Sequence, residues 1–332
     1  MTKLIQSTPN VKASEQAFRK IYTDLLKNGK RCSPRGQLVI ELENYQYELP
    51  AYIRFPSFKA RKLKADYVRR EFLWYLRGNK NDISICQHAK IWRDVMNEDL
   101  SINSNYGQYI FARRSVVGNA GNYSIRMRSP FEYVIEELLS DNDSRRASIP
   151  IFNAEHISRP TKDVPCTYSL NFRIREGKLN MSVHMRSQDA IFGMGNDAPC
   201  FSFIHEMVFA ALEDKVEGLV LGNYSHTADS FHVYERHFEM LNEIVESGEY
   251  EEILVPKISG SAEVKHLVLD IHKRYLLGRN AWCYSEISAS NETLMAYEKP
   301  ASKTFDSFAF SNWLIEPELA DAAKDAAAIA TT

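Results

Sequence analysis

Residues 167–185, TYSLNFRIREGKLNMSVHM, allow few folds. Leu170, Phe172 and Ile174 alternate with polar neighbours, as do Leu179, Met181, Val183 and Met185. That period of two stands the apolar side chains on one face of a sheet. The REGK between the runs is short and contains a glycine, so the runs should close as an antiparallel hairpin. A hairpin brings its two ends together. Cys166 enters the first strand and Arg186 leaves the second, so a thiol and a guanidinium should arrive at the same end of the sheet.

Around this hairpin the periodicity changes. Ala17, Ile21, Leu25 and Leu26 recur at helical spacing from about Val11 to Asn28, and Gly29 closes the segment. A strand pair is expected at QLVIEL and YQYELP. ADYVRREFLWYLRG then reads as a buried helix ending at Gly78 whose one inward acid is Glu71. FEYVIEELL is expected to be a helix, SDNDSRRAS a loop and SIPIF a short strand, with Arg145 and Arg146 at their junction. After the hairpin come an expected helix PCFSFIHEMVFAALEDK, a strand GLVLGNYSH, a helix YERHFEMLNEIVESG and the tail ELADAAKDAAAIA, expected as a weak alanine-rich helix or a frayed end. Repeats, low-complexity linkers and a clear domain boundary are lacking. One α+β domain over residues 1–332, with a mostly antiparallel or mixed sheet flanked by helices, is the economical expectation.

Composition narrows the partners. A formal charge of -2 gives no diffuse attraction to DNA, RNA or anionic membranes, so an anionic ligand must meet a local basic cluster. The cysteines Cys32, Cys86, Cys166, Cys200 and Cys283 are scattered without CxxC pairing, which argues against a disulfide framework or a zinc site and fits a reducing cytoplasm. The N-terminal MTKLIQSTPNVKASEQ has no signal-peptide apolar core, and no run approaches the roughly 20 apolar residues of a membrane span.

Taken singly, the reactive residues have plain structural readings. A thiol after proline is usually a small buried hydrophobe, and paired loop arginines are usually solvated. Arg145, Arg146, Arg186 and Ser187 could nevertheless cradle a phosphate, because guanidinium forks match its oxygens bidentately. His232, Tyr234 and His237 could serve a ligand or merely satisfy buried hydrogen bonds.

In combination the blocks carry more. REFLWYLRG with IWRD and NYGQ, then SRR, PCTYSLNF, RSQDAIFGMGND and HVYERH resemble, in order and approximate spacing, the signature blocks of thymidylate synthases, from roughly Leu25 to Leu241. The resemblance implies one α+β domain, dimeric through the back of its sheet, with each site borrowing arginines from the other subunit. It implies that Cys166 adds to carbon 6 of a pyrimidine, because carbon 5 becomes nucleophilic only after such an addition. Arg186 would lower the thiol pKa. Arg186 and Ser187, with Arg145 and Arg146 of a second subunit, would clamp the phosphate. Arg35, in a loop shorter than the family's, is a weaker phosphate candidate. By the same resemblance His232 and Tyr234 would bind the sugar hydroxyl. Glu71 would move protons and organise water, Tyr106 would help near carbon 5, and Trp92 and Asp189 would contact the folate.

Two departures point within the superfamily to the (deoxy)cytidylate 5-hydroxymethylase branch. Where synthases carry an asparagine four residues after the glycine of the RSxD block, this chain has Asp197. An amide both donates and accepts and so reads uracil. A carboxylate only accepts, which suits the amine of cytosine and a protonated ring nitrogen. A register shift of one would put Asn196 there instead. The second departure is the C-terminus. Synthases end in a short apolar tail that shuts water out, whereas here a divergent extension runs from about residue 250 through NWLIEPELADAAKDAAAIATT. Water capture of the transferred carbon gives hydroxymethyl and hydride capture gives methyl. The expected activity is thus hydroxymethylation of dCMP or CMP with 5,10-methylenetetrahydrofolate and no metal. The rival is a thymidylate synthase or deoxyuridylate hydroxymethylase acting on dUMP. A non-catalytic RNA-binding or regulatory relative is disfavoured by the intact Cys166, Arg186 and Glu71 set and by the absence of surplus basic charge.

Overall fold

The computed structural model describes residues 11–112, 115–119, 122–158, 160–271 and 308–330, so Cys283 lies outside the described residues. Helix α1 (Val11–Asn28) is followed by β1 (Lys30–Cys32) and β2 (Val39–Leu49). Next come α2 (Ala65–Arg77), α3 (Lys90–Val95), a β3–β4 pair (Ser115–Asn119 and Asn122–Arg128) and α4 (Pro130–Ser140). Strands β5 (Ser148–Pro150), β6 (Thr167–Arg175), β7 (Lys178–Met185) and β8 (Gln188–Asp189) lead into α5 (Phe192–Leu212) and β9 (Val220–Tyr234). Helices α6 (Phe238–Glu246), α7 (Gly260–Lys265) and α8 (Ala309–Ala330) complete the described chain. Among the described residues no helix is long and apolar enough to cross a membrane.

The hairpin forms as its alternation requires. Leu170 faces Val183 and Phe172 faces Met181, and all four are buried. Glu176 and Gly177 turn the chain with φ of 52° and 70°, the doubly left-handed geometry that matches strand twist. At the open end the Arg186 amide donates to the Cys166 carbonyl at 2.8 Å, so the thiol and the guanidinium residues do meet.

The sheet is seven-stranded and mixed, in the order β1-β2-β9-β7-β6-β5 with β8 beside β9. Strand β9 runs parallel to β7 and β8, while the other pairings are antiparallel. A parallel neighbour requires a crossover, and α5 supplies it. Three boundaries depart from expectation. The strand pair expected around Asn44 is one strand, β2, in which Asn44 adopts φ 51° without breaking the register with β9. Asparagine tolerates that conformation, so the turn signal becomes a kink. GLVLGNYSH runs on through His232 and Val233 to Tyr234, the residue expected to open the next helix, as the single strand β9, because β2 pairs along it from Tyr224 to Tyr234. Helix α5 begins at Phe192 rather than Pro199, with the proline inside it. Burial from Ala198 to Val208 outweighs the local cost of Pro199.

The same shift puts Gly193–Asp197 in the first turns of α5. Asp189 caps that helix, its carboxylate accepting from the amides of Ile191 at 3.1 Å and Phe192 at 3.0 Å. Behind it, α2 packs against α5, and α8 packs on the outer side of α2. Arg70 of α2 pairs with Glu318 at 3.3 Å and Asp321 at 2.6 Å, and Phe310 stacks edge-on against Phe72 and Phe203. The alanine-rich tail is therefore helical, and α8 is docked on α2 through Phe310, Glu318 and Asp321. The opposite face of the sheet is polar and half-buried, lined by Ser182, His184, Thr227 and Asp229.

Candidate active site

The switch from β7 to β8, the head of β6, the first turns of α5 and the inner face of α2 converge on Cys166. Its thiol is pushed up to about 11 by burial, with Asp197 and Asp163 adding to the rise and Arg186 and Arg35 opposing it. Arg186 acts in the expected direction, but burial wins. Its guanidinium donates to the carbonyls of Pro165 at 3.0 Å and Val164 at 2.7 Å, which divides its attention. Arg35, exposed in the loop Pro34–Gly36 with φ 51°, is close enough for its charge to favour the thiolate slightly.

Two buried carboxyls follow in turn: Asp197 acts directly on the thiol, and Glu71 acts on Asp197. Glu71 on α2 is raised to about 7 by burial, against the hydroxyls of Tyr75 and Tyr67. Tyr75 donates to its Oε1 at 2.9 Å, while Oε2 is buried with no hydrogen-bond partner among the described residues. Asp197 is raised to about 8 by burial and then by Glu71, with Gln188 opposing. Gln188 Nε2 donates to Asp197 Oδ2 at 3.2 Å. Asp197 is buried within this cluster, and its charge is felt by Cys166 and Tyr106. Asn196 is only half-buried.

Tyr106 is buried in the same pocket, stacked on Phe201 at 5.8 Å. Gly107 is forced here, because a Cβ would sit 1.6 Å from the Tyr75 carbonyl oxygen. Trp92 flanks α2, its indole N–H donating to Tyr67 at 2.8 Å, so it is one side chain removed from Glu71. Asp189 is committed on both oxygens to the α5 cap, and any folate contact would share that carboxylate. His232 is buried beside Ser230, and its ring meets that of Tyr234 edge-on at 5.1 Å. Ser187 is half-buried next to Arg186. Arg145 and Arg146 stand apart, exposed beyond α4, with no ion pair to any described residue.

Sequence reasoning missed Asp163, Gln188, Tyr47 and Tyr67. Asp163 holds the Asn103–Tyr106 turn by accepting from the Ser104 amide and hydroxyl, both at 2.6 Å. Its only sequence signal is an acid shortly before the reactive cysteine. Tyr67 could have been found one helical turn before Glu71.

The paired carboxyls give a stability signature. Between pH 6.5 and 8 the native protein still holds a falling share of the protons on Glu71, and then on Asp197, that the unfolded chain has already lost. Stability therefore falls as pH rises through that window. The buried His205 and His226, held down to about 4 and 3, lose stability only below it. Thermal unfolding should show a declining midpoint from pH 6.5 to 8 and a flatter decline in Glu71→Gln. An unchanged slope in that variant would contradict the assignment.

The comparisons agree with this arrangement. A family model described as thymidylate synthase matches residues 16–271. The deoxyuridylate hydroxymethyltransferase of Bacillus phage SP01 is 30% identical over 224 residues, 66% of this chain and 56% of that protein. The chain thus aligns with little more than half the length of that relative. The deoxycytidylate 5-hydroxymethyltransferases of Enterobacteria phages T4 and T2 are each 29% identical over 195 residues, 56% of this chain and 74% of theirs. With the hairpin, the thiol and the buried carboxyls all inside the matched 16–271, the chain belongs to the thymidylate synthase family.

Proposed function

We propose that this protein hydroxymethylates carbon 5 of a cytidine monophosphate, dCMP or CMP, with 5,10-methylenetetrahydrofolate and water as co-reactants. The observation that carries this reading is the buried Asp197 carboxyl beside Cys166, with Asn196 outside the buried cluster. A carboxyl with its proton retained near neutrality can pass that proton to cytosine N3 and accept from the amine. As the S–H bond of Cys166 breaks and its proton passes to solvent, the protonated ring takes up the resulting thiolate at carbon 6: the S–C6 bond forms and the ring electrons move toward carbon 5.

Arg186 and Ser187, with Arg35 at the rim, bind the phosphate, and His232 and Tyr234 the sugar hydroxyl. Bound folate supplies the one-carbon unit. Trp92 and Asp189 flank its place, and the orphaned Oε2 of Glu71 fits a group that orders water and moves protons there. A uridylate reading has one support of its own, the deoxyuridylate enzyme among the relatives. Incubation with dCMP, CMP and dUMP, each with methylenetetrahydrofolate, followed by product masses, separates the readings. A hydroxymethyl product from a cytidylate supports the proposal, and turnover of dUMP alone refutes it.

The exposed Arg145 and Arg146 fit a role in the site of a second copy of the chain, packed on the polar sheet face. Mixing inactive Cys166→Ser with inactive Arg146→Ala chains should then restore up to about one whole site per mixed dimer. No recovery despite proven subunit exchange would assign those arginines to their own subunit or to no site.

A further inference from the structure

We propose that Gln188, locked by Tyr47, is the positioning residue that makes Asp197 a cytosine reader. The proposal rests on the cytidylate reading above. Gln188 is the unassigned residue between Ser187 and Asp189, and it is 2% exposed. Its Nε2 donates to Asp197 Oδ2 at 3.2 Å, and its Oε1 accepts from the Tyr47 hydroxyl at 3.1 Å. Nε2 also lies 3.7 Å from the Met185 sulfur. The amide has one comfortable orientation. Flipped, it would set its carbonyl against the Asp197 carboxyl and its NH2 against a hydroxyl already facing it as a donor.

Tyr47 is itself fixed. Its ring stacks on His226 at 4.9 Å with 6° between the planes, and the imidazole Nδ1 is 2.6 Å from the Tyr224 hydroxyl. Four elements of the sheet thus hold one donor on one carboxyl oxygen: β7 through Met185, β8 through Gln188, β2 through Tyr47, and β9 through Tyr224 and His226.

The chemistry follows from what Asp197 must become. When its O–H bond breaks and the proton forms the N3–H bond of cytosine, a buried carboxylate is left behind. Glu71 and Asp189 repel that charge, and Gln188 is the hydrogen bond that favours it. Uracil already carries a proton on N3 and asks for no such transfer. The Gln188 donor should therefore favour cytidylate turnover and leave uridylate nearly untouched. Tyr47 acts one step further out, by keeping the donor aimed.

Gln188→Met keeps the volume of the side chain and removes the donor. It should lower kcat on the cytidine nucleotide by about tenfold with KM little changed, and leave turnover of the uridine nucleotide within about twofold. Tyr47→Phe should show a smaller loss in the same direction, and the double variant should be no worse than Gln188→Met, since both act through one hydrogen bond. Parallel loss on both nucleotides, or no loss, overturns the proposal. Should Gln188→Met fail to fold, the nucleotide ratio in Tyr47→Phe decides alone. Asp197→Asn run alongside separates the two levels. Intact cytidylate turnover in Asp197→Asn removes the cytidylate reading itself. Loss there, with no selective loss in Gln188→Met, removes only the role of Gln188.

Discussion

Cys166→Ser is expected to cut turnover by at least about a hundredfold while leaving nucleotide affinity within about threefold. The exchange changes one atom, and the backbone bond from Arg186 to the Cys166 carbonyl does not depend on it. What disappears is nucleophilicity, because a serine hydroxyl supplies far too little alkoxide near neutral pH. The thiol itself is held up at about 11 by burial, and Arg186 and Arg35 oppose this. Arg186 is the larger of the two favourable influences. A phosphate drawing its guanidinium away from the Val164 and Pro165 carbonyls would tie thiol reactivity to nucleotide binding. Activity assays with calorimetric binding of the nucleotide check the prediction. Retention of more than a few per cent of turnover would remove Cys166 from the reaction.

How much of this was legible depended on how local the cause was. The hairpin was readable because strict alternation has one solution, and the ends of α2 because Gly78 takes the left-handed φ of 59° that closes a helix. Strands β2 and β9 were misread at their middles, because the pairing that carries Asn44 through its kink is made by residues about 185 positions away, beyond any window of periodicity. Helix α5 gave no helical stripe to read, since it is buried nearly all round and its proline looked like a start. The reactive residues were legible as a family pattern, and the structure brings Cys166, Arg186, Tyr106, Glu71 and Asp197 together. Gln188 was invisible for the opposite reason. It occupies the variable position of the RSxD block, and only the fold reveals that it faces Asp197. Arg145 and Arg146 mark another limit, because an exposed pair serves a site only if a second chain completes it.

Asp197→Asn is expected to abolish most cytidylate activity and to raise turnover of deoxyuridylate above that of the wild type, a change of preference of about ten to a hundredfold. The two side chains are nearly the same size, so the buried neighbours Gln188 and Glu71 should stay in place. The amide has no proton to pass to cytosine N3. It can, however, set its NH2 against the C4 carbonyl of uracil and its oxygen against the ring N–H, which an ionised carboxylate cannot do. Replacing a buried carboxyl that shares its proton with the base by a neutral amide also removes the group that titrates near 8. The pH profile of the variant on deoxyuridylate should therefore lack an inflection there. On the proposed reading, in which Asp197 reads the base and water capture is set elsewhere, hydroxymethylated rather than methylated deoxyuridylate is the expected product. The measurement is kcat/KM on both nucleotides with product masses for wild type and for the two single variants. If the wild type already prefers deoxyuridylate, and Asn196→Asp rather than Asp197→Asn alters base choice, the base is read one residue earlier on α5 and the uridylate reading replaces this one.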